Sequence, residues 1–254
     1  MKRSFTTILI ISALFILATE ILRPEYTSSQ VQNTMIQTLI TRTLGGVLFL
    51  FLIKGSSQNV FGISISASAL ISVLVALAVA LNNAPIIGLV TGNARVDAGA
   101  FDLVLFAMQA FAVALFEEAA FRGYLFPFIL ERFSERSVFF STVLSSAVFA
   151  AFHLVNIFYG APGSVLLQVG YTFLIGGMCA VVLLKTRCLW ICVGLHAIYN
   201  FGGTLVPTLG SGIVWDTLTV TITAILGAAA LAIMLLILSK VTKEEAAALY
   251  TKQK

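Results

Sequence analysis

Two histidines and a pair of glutamates are the residues of this chain whose types and positions could do chemistry. His153 and His196 are the only histidines, and each lies in an otherwise apolar stretch. Glu117 and Glu118 lie together in a third such stretch. A glutamate in an apolar interior can act as a base, and an imidazole can help to hold or deprotonate a water molecule. These residue types suit the hydrolysis of an amide bond.

The spacing within each stretch predicts which side chains share a helix face. Glu118 and Arg122 are four residues apart, so we expect them to form an ion pair. Glu117 is rotated by about 100° from Glu118 and should face another partner, which makes it the candidate base. His196 and Asn200 are also four residues apart, and both side chains can donate to a developing oxyanion.

Three further features concern how the helices are shaped and packed. Phe149 precedes His153 by four residues, so we expect it to pack beside that histidine and shape its pocket. Pro127 follows the acidic cluster and should end or kink its helix. The pair Gly176-Gly177 predicts that another helix approaches closely at that point.

Composition places these groups in a membrane protein. Of the 254 residues, 59% are hydrophobic and 10% are charged, whereas soluble domains carry about 25% charged residues. This balance excludes a soluble domain and a disordered chain. The apolar stretches lack the alternation of an outer-membrane barrel. The net charge of +4 arises from basic residues in loops, which argues against a nucleic-acid partner.

The predicted fold class is all-α: a polytopic membrane protein with eight transmembrane helices. Each apolar stretch is long enough to cross about 30 Å of hydrocarbon. The predicted spans are 4–21, 35–53, 63–83, 101–126, 138–158, 165–184, 189–206 and 214–239. They leave only short loops, so we expect a single transmembrane domain over residues 1–254, with the motif-bearing core at about 101–206.

The distribution of basic residues predicts that both termini are cytoplasmic. With the N-terminus inside, 11 of the 15 lysines and arginines fall in cytoplasmic segments, and only Arg23 and Arg95 fall outside. The remaining two, Arg42 and Arg122, lie within spans. An excess of basic residues in the cytoplasmic loops is the usual arrangement.

Three motifs, taken together and in this order, resemble one family. They are EExxxR at Glu117, Glu118 and Arg122, FxxxH from Phe149 to His153, and HxxxN from His196 to Asn200. This set resembles the CPBP or Abi intramembrane proteases, whose eukaryotic members are the type II CAAX-prenyl endopeptidases. The stretch from Glu117 to Leu125 is also similar to the EExxFRGxL core of that family. The motifs cover residues 117–200.

The resemblance implies an eight-helix membrane endopeptidase whose site opens toward the cytoplasmic side. Carried over by position, Glu117 would activate water with help from His153, and His196 with Asn200 would form the oxyanion hole. Glu118, Arg122 and Phe149 would support the site. The implied partner is a membrane-associated peptide, either prenylated at a CAAX cysteine or a hydrophobic leader, and the expected location is the plasma membrane.

Three alternatives remain open from the residues alone. No cofactor is expected, but Glu117, His153 and His196 could instead ligate zinc as in a metalloprotease. Charged groups in membrane helices also build the relays of proton-coupled transporters, although no inverted repeat is evident. A non-catalytic immunity or binding protein could carry the same residues without turnover.

Overall fold

The long apolar stretches are expected to be helices, because a segment in lipid must satisfy its backbone hydrogen bonds internally. The computed structural model describes residues 24–158 and 160–251. The predicted first span, 4–21, and the two ends of the chain therefore lie outside the described residues. The described part is mostly helical.

Almost all elements of the described part are helices. The elements are α1 (Gln30–Gly55), α2 (Ala67–Asn82), α3 (Ile86–Thr91), β1 (Ala94–Val96), α4 (Ala100–Glu118), α5 (Phe126–Arg132), α6 (Val138–Phe152), α7 (Pro162–Thr186), α8 (Leu189–Leu209), β2 (Gly210–Gly212), α9 (Thr217–Leu238) and α10 (Lys243–Ala247). A π-helical segment, Ala119–Leu125, joins α4 to α5. A 3₁₀-helical segment, His153–Phe158, follows α6.

Seven helical stretches in the described part are long and apolar enough to cross a membrane. They are Gln30–Gly55, Ala67–Thr91, Ala100–Arg132, Val138–Phe158, Pro162–Thr186, Leu189–Leu209 and Thr217–Leu238. Each corresponds to one of the predicted spans from the second to the eighth. The chain is thus a multi-pass membrane protein, while the count of eight and the cytoplasmic termini stay predictions.

A small β-sheet departs from the all-α prediction. β1 and β2 pair antiparallel, with Arg95 opposite Ser211. Each strand has only three residues, and the sequence Gly-Ser-Gly of β2 carries no strand propensity, so hydropathy gave no sign of it. Gly212 has a φ of 111°, a value that favours glycine.

Pro127 changes the helix type without ending the helix. It lies in the first turn of α5, directly after the π-helical segment. Because proline has no N–H, the carbonyl of Gly123 cannot receive the usual α-helical bond, and a wider turn accommodates the ring. The helical path nevertheless continues to Arg132. Of the two predicted outcomes, an end or a kink, the helix does not end at Pro127, and a π-helical distortion appears just before the proline.

The chain divides into two compact units, each built from three segments. Unit 1 contains the described residues up to Leu52 together with Ala80–Ala119 and Val193–Ala224. Unit 2 contains Ile53–Val79, Ala120–Cys192 and the described residues from Ile225 onward. The single transmembrane domain over 1–254 stays a prediction.

Within unit 1, α1 and α4 run parallel and approach closely. The Gln32 side chain donates to Asp102 at 2.8 Å, and a Cβ on Gly46 would lie 2.9 Å from Cγ of Leu115. Contacts thus advance along both helices in the same direction. A buried apolar cluster adjoins them: Met35, Leu105, Phe106, Leu205 and Leu209. The approach of Gly46 to Leu115 lies beside the end of α4, which carries the two glutamates.

Within unit 2, α6 packs along α7 and the C-terminal helix closes one end. Lys185, at the end of α7, is buried and forms an ion pair with Glu245 of α10 at 2.9 Å. The backbone N–H of Asn59 donates to the carbonyl of Leu249 at 2.8 Å. These bonds hold α10 against the helix ends of its own unit.

Candidate active site

In unit 1 the imidazole of His196 contacts both glutamates of the EExxxR motif. Its Nδ1 lies 2.7 Å from Oε1 of Glu118, and its Nε2 lies 3.5 Å from Oε2 of Glu117. The two carboxylates come from the last two residues of α4, and the histidine lies in the second turn of α8. The motif glutamates, consecutive in the chain, therefore meet one imidazole through its two nitrogens.

Burial distinguishes the two glutamates. The side chain of Glu118 is fully buried at 0% exposure and that of His196 is 5% exposed, whereas Glu117 is 14% exposed. A buried carboxylate bonded to a ring nitrogen fixes the orientation of an imidazole and stabilises its protonated form. Glu118 is therefore placed to orient His196, and Glu117 retains access to a small molecule such as water.

Asn200 lies one turn after His196 on α8 and is half-buried. Within residues 24–158 and 160–251, no hydrogen bond engages its side-chain carboxamide, although its backbone carbonyl accepts from the Thr204 hydroxyl. A residue of another segment holds this turn of α8, because the Asn83 side chain donates to the carbonyl of Tyr199 at 2.8 Å. Asn200 thus has an available donor on a well-positioned turn.

In unit 2 the guanidinium of Arg122 packs on the ring of Phe149. Its Cζ lies 4.0 Å from the ring centroid, and the arginine is 1% exposed. A Cβ on Gly176 would lie 2.8 Å from Nη2 of Arg122 and 3.1 Å from Cδ1 of Phe149. The predicted close approach at Gly176-Gly177 is confirmed at Gly176, where only a glycine leaves room for the arginine and the ring.

His153 is held by the backbone of Phe149. Its Nδ1 lies 3.0 Å from the Phe149 carbonyl oxygen, and its ring meets the Phe149 ring edge-on at 4.8 Å between centroids. The change to 3₁₀ geometry explains this bond, because the backbone N–H of His153 turns to the carbonyl of Ala150 and leaves that of Phe149 for the side chain. The carbonyl can only accept, so Nδ1 carries a proton and Nε2 is the acceptor of the neutral ring.

Phe121 is a packing residue to which the sequence reasoning assigned no role. Its ring lies 4.9 Å from that of Phe149 and 5.5 Å from that of Phe152, measured between centroids. It therefore buttresses the residue that holds both Arg122 and His153. The signal for it was present in the aromatic position of the EExxFRGxL stretch.

The predicted site residues thus fall into two described groups. Unit 1 brings together Glu117, Glu118 and His196, with Asn200 one turn away. Unit 2 brings together Arg122, Phe149 and His153. The expected Glu118–Arg122 ion pair stays a prediction, as do the roles of all seven residues.

Zinc ligation by Glu117, His153 and His196 stays a prediction. Among the residues that the structure describes, no three His, Cys, Asp or Glu side chains form a group that could hold a metal ion. In addition, Nδ1 of His196 is engaged by Glu118 and that of His153 by a backbone carbonyl.

Comparison with known proteins gives one family match. Residues 99–202 match the family described as type II CAAX prenyl endopeptidase Rce1-like. The resemblance predicted from the motifs is confirmed. The Rce1-like segment contains all seven predicted site residues and agrees with the predicted core. Neither the curated proteins nor the solved structures give a match.

Proposed function

We propose that this protein is a glutamate-type intramembrane endopeptidase, which hydrolyses a peptide bond in a membrane-associated peptide. The observation that carries the proposal is the contact of one buried imidazole with two adjacent carboxylates, of which only Glu117 is accessible. The Rce1-like match over the same residues supports a proteolytic activity.

The first step is the activation of water. Glu117 takes a proton from the water, and the resulting hydroxide attacks the carbonyl carbon of the scissile bond. His153 assists through Nε2, which is the proton acceptor of its neutral tautomer. The role of His153 rests on the FxxxH motif and on this tautomer.

The second step is stabilisation of the tetrahedral intermediate. A protonated His196 donates through Nδ1 to Glu118, and its Nε2–H, which lies 3.5 Å from Glu117, donates to the oxyanion that forms beside that carboxyl group. The Asn200 carboxamide supplies a second donor from the same helix face. One such donor is worth about 10²–10³-fold in kcat in other hydrolases.

The third step is loss of the amine. The C–N bond breaks, and Glu117 returns the proton that it took from water to the leaving nitrogen. The products are a carboxylic acid and an amine, and Glu117 is again a carboxylate. Each group therefore ends the cycle in the protonation state in which it began.

The proposed substrate is a peptide carrying a prenylated CAAX cysteine or a hydrophobic leader, cleaved in the plasma membrane at a site facing the cytoplasm. The apolar spans provide an environment for a lipidated or hydrophobic tail. The Rce1-like description supports the CAAX class. We propose no cofactor, and full activity after dialysis against a chelator is the expected result.

The test compares glutamine substitutions at matched glutamates. Purified protein should cleave an internally quenched peptide that ends in a farnesylated Cys-Val-Ile-Met sequence, and the same peptide without the farnesyl group tests the need for the lipid. Glu117→Gln should abolish cleavage, whereas Glu25→Gln, at an exposed position, should retain it. Normal cleavage by Glu117→Gln would show that the base is another residue.

A further inference from the structure

A cleft in unit 2 adjoins the helix turn that carries His153. Its volume is about 360 Å³, and it is shallow and open on one side. The residues that line it come from the 3₁₀ segment, the connection that follows it and the first half of α7: Asn156, Gly160, Ser164, Val165, Gln168 and Tyr171. None of them has a role in the proposed chemistry.

Two side-chain amides form the polar part of this cleft. Nδ2 of Asn156 donates to Oε1 of Gln168 at 2.9 Å, which ties the 3₁₀ segment to α7. This bond uses one donor and one acceptor and leaves the side-chain carbonyl of Asn156 and the side-chain amino group of Gln168. Among the described residues, no hydrogen bond engages either group. If both side-chain amides were flipped, Gln168 would donate and Asn156 would accept. One side-chain carbonyl and one amino group would still remain.

The position of Asn156 relates the cleft to His153. Side chains three residues apart are eclipsed in a 3₁₀ helix, so Asn156 and His153 lie on the same face of the segment. At about 2.0 Å of rise per residue they are about 6 Å apart along the axis. An extended peptide advances about 3.3 Å per residue, so the cleft is about two residues from a bond held at His153.

We infer that this cleft binds the backbone of the substrate peptide about two residues from the scissile bond. A peptide unit presents one N–H and one C=O. The N–H matches the side-chain carbonyl of Asn156, and the C=O matches the side-chain amino group of Gln168. An acyl chain uses neither group, which argues for a peptide over a lipid as the occupant. The inference rests on the proposed function, since it takes His153 to act at the reacting bond.

The first test measures kinetic constants with the farnesylated quenched peptide. Asn156→Leu and Gln168→Met should each raise KM by about 3- to 10-fold, the effect of one hydrogen bond, with little change in kcat. Asn82→Leu is the matched control, because it removes another amide bonded between helices, to Thr223 at 2.8 Å, that lines no part of the cleft. It should leave both constants unchanged.

A second test separates binding from a structural effect. Replacing one substrate amide at a time by an ester removes a single N–H. One position should raise KM for the wild-type protein, and the same ester should have no effect on Asn156→Leu. Equal effects on both proteins would overturn the inference.

The outcomes distinguish the cleft from the function. Unchanged KM in both cleft variants, with normal cleavage, would overturn the cleft assignment and leave the protease assignment intact. Unchanged KM with loss of a co-purified lipid, detected by native mass spectrometry, would show that the cleft holds lipid instead. Absence of cleavage by the wild-type protein would contradict the proposed function and the inference with it.

Discussion

The two histidines are held through the same nitrogen by partners of different charge. In unit 1, Nδ1 of His196 meets a buried carboxylate, Glu118, whereas in unit 2, Nδ1 of His153 meets the backbone carbonyl of Phe149. Nε2 of His196 faces Glu117 at 3.5 Å, whereas Nε2 of His153 is the nitrogen not bonded to that carbonyl. A carboxylate stabilises an imidazolium, while a carbonyl fixes the tautomer without adding a negative charge.

In the proposed mechanism the two rings have opposite tasks. His196 donates an N–H to the oxyanion, and His153 accepts a hydrogen bond from the attacking water. The proposal therefore assigns different roles to chemically identical side chains because their neighbouring atoms differ in charge. Mutagenesis can distinguish the two anchors, because the anchor of His196 is the side chain of Glu118 and the anchor of His153 is a backbone atom of Phe149.

Removing either imidazole should have the largest effect. We expect His196→Gln and His153→Gln each to lower kcat by about 10²- to 10⁴-fold, since a donor or a general base is lost. Single-turnover cleavage of the quenched peptide measures the loss. Near-normal kcat in one of the two variants would remove that ring from the mechanism and break the comparison.

Removing the charged anchor of His196 should have the next largest effect. Glu118→Gln can still accept a hydrogen bond from Nδ1 but provides no charge, so we expect kcat to fall by about 10- to 100-fold with KM nearly unchanged. Glu118→Asp retains the charge and should keep more activity than Glu118→Gln. The reverse order would indicate that shape, rather than charge, is what Glu118 contributes.

Changing the residue that anchors His153 should affect stability more than catalysis. Phe149→Leu keeps the carbonyl that holds Nδ1 but loses the contact with Arg122, and we expect a loss of about 2 kcal/mol in the free energy of unfolding. The change in kcat should be only a few-fold. Phe133→Leu is the control, because Arg132 packs on Phe133 at a more exposed position, at 5.9 Å. It should cost far less stability.

The smallest expected effect is that of Asp216 on the pH dependence of folding, which can be measured separately from the pH dependence of activity. The backbone N–H of Thr219 donates to Asp216 at 2.8 Å, just before α9, and this bond lowers the pKa of the Asp216 carboxyl. A lowered pKa means that the bond stabilises the fold above the ordinary carboxyl pKa and is lost as pH falls through the folded value. Asp216→Asn keeps an acceptor at every pH, so thermal unfolding measured against pH should become slightly flatter at the acid end.

The Asp216→Asn variant also serves as a control for the kinetic comparison of the two histidines. In the Asp216→Asn protein, the pH profile of kcat should match that of the wild type, because Asp216 takes no part in the proposed reaction. A changed profile would mean that the activity measurements report partial unfolding. The contrast between the two histidines would then have to be measured within a narrower pH range.

The sequence predicted the spanning helices well because hydropathy is a local property. Seven of the eight predicted spans match described helices, and the stretch 138–158 is reproduced as Val138–Phe158. The family resemblance also came from local motifs, since EExxxR, FxxxH and HxxxN each fit within a few turns of one helix. The three-residue strands escaped notice because their pairing joins segments far apart in the chain.

The partners of the site residues were decided by tertiary structure. Glu118 contacts His196, which is 78 residues away in the chain, and no spacing rule within one helix could indicate that partner. Periodicity reports which side chains share a face, but what lies opposite that face depends on how distant helices pack. The sequence alone therefore determined which groups could do chemistry, and the packing of the helices decided which atom anchors each one.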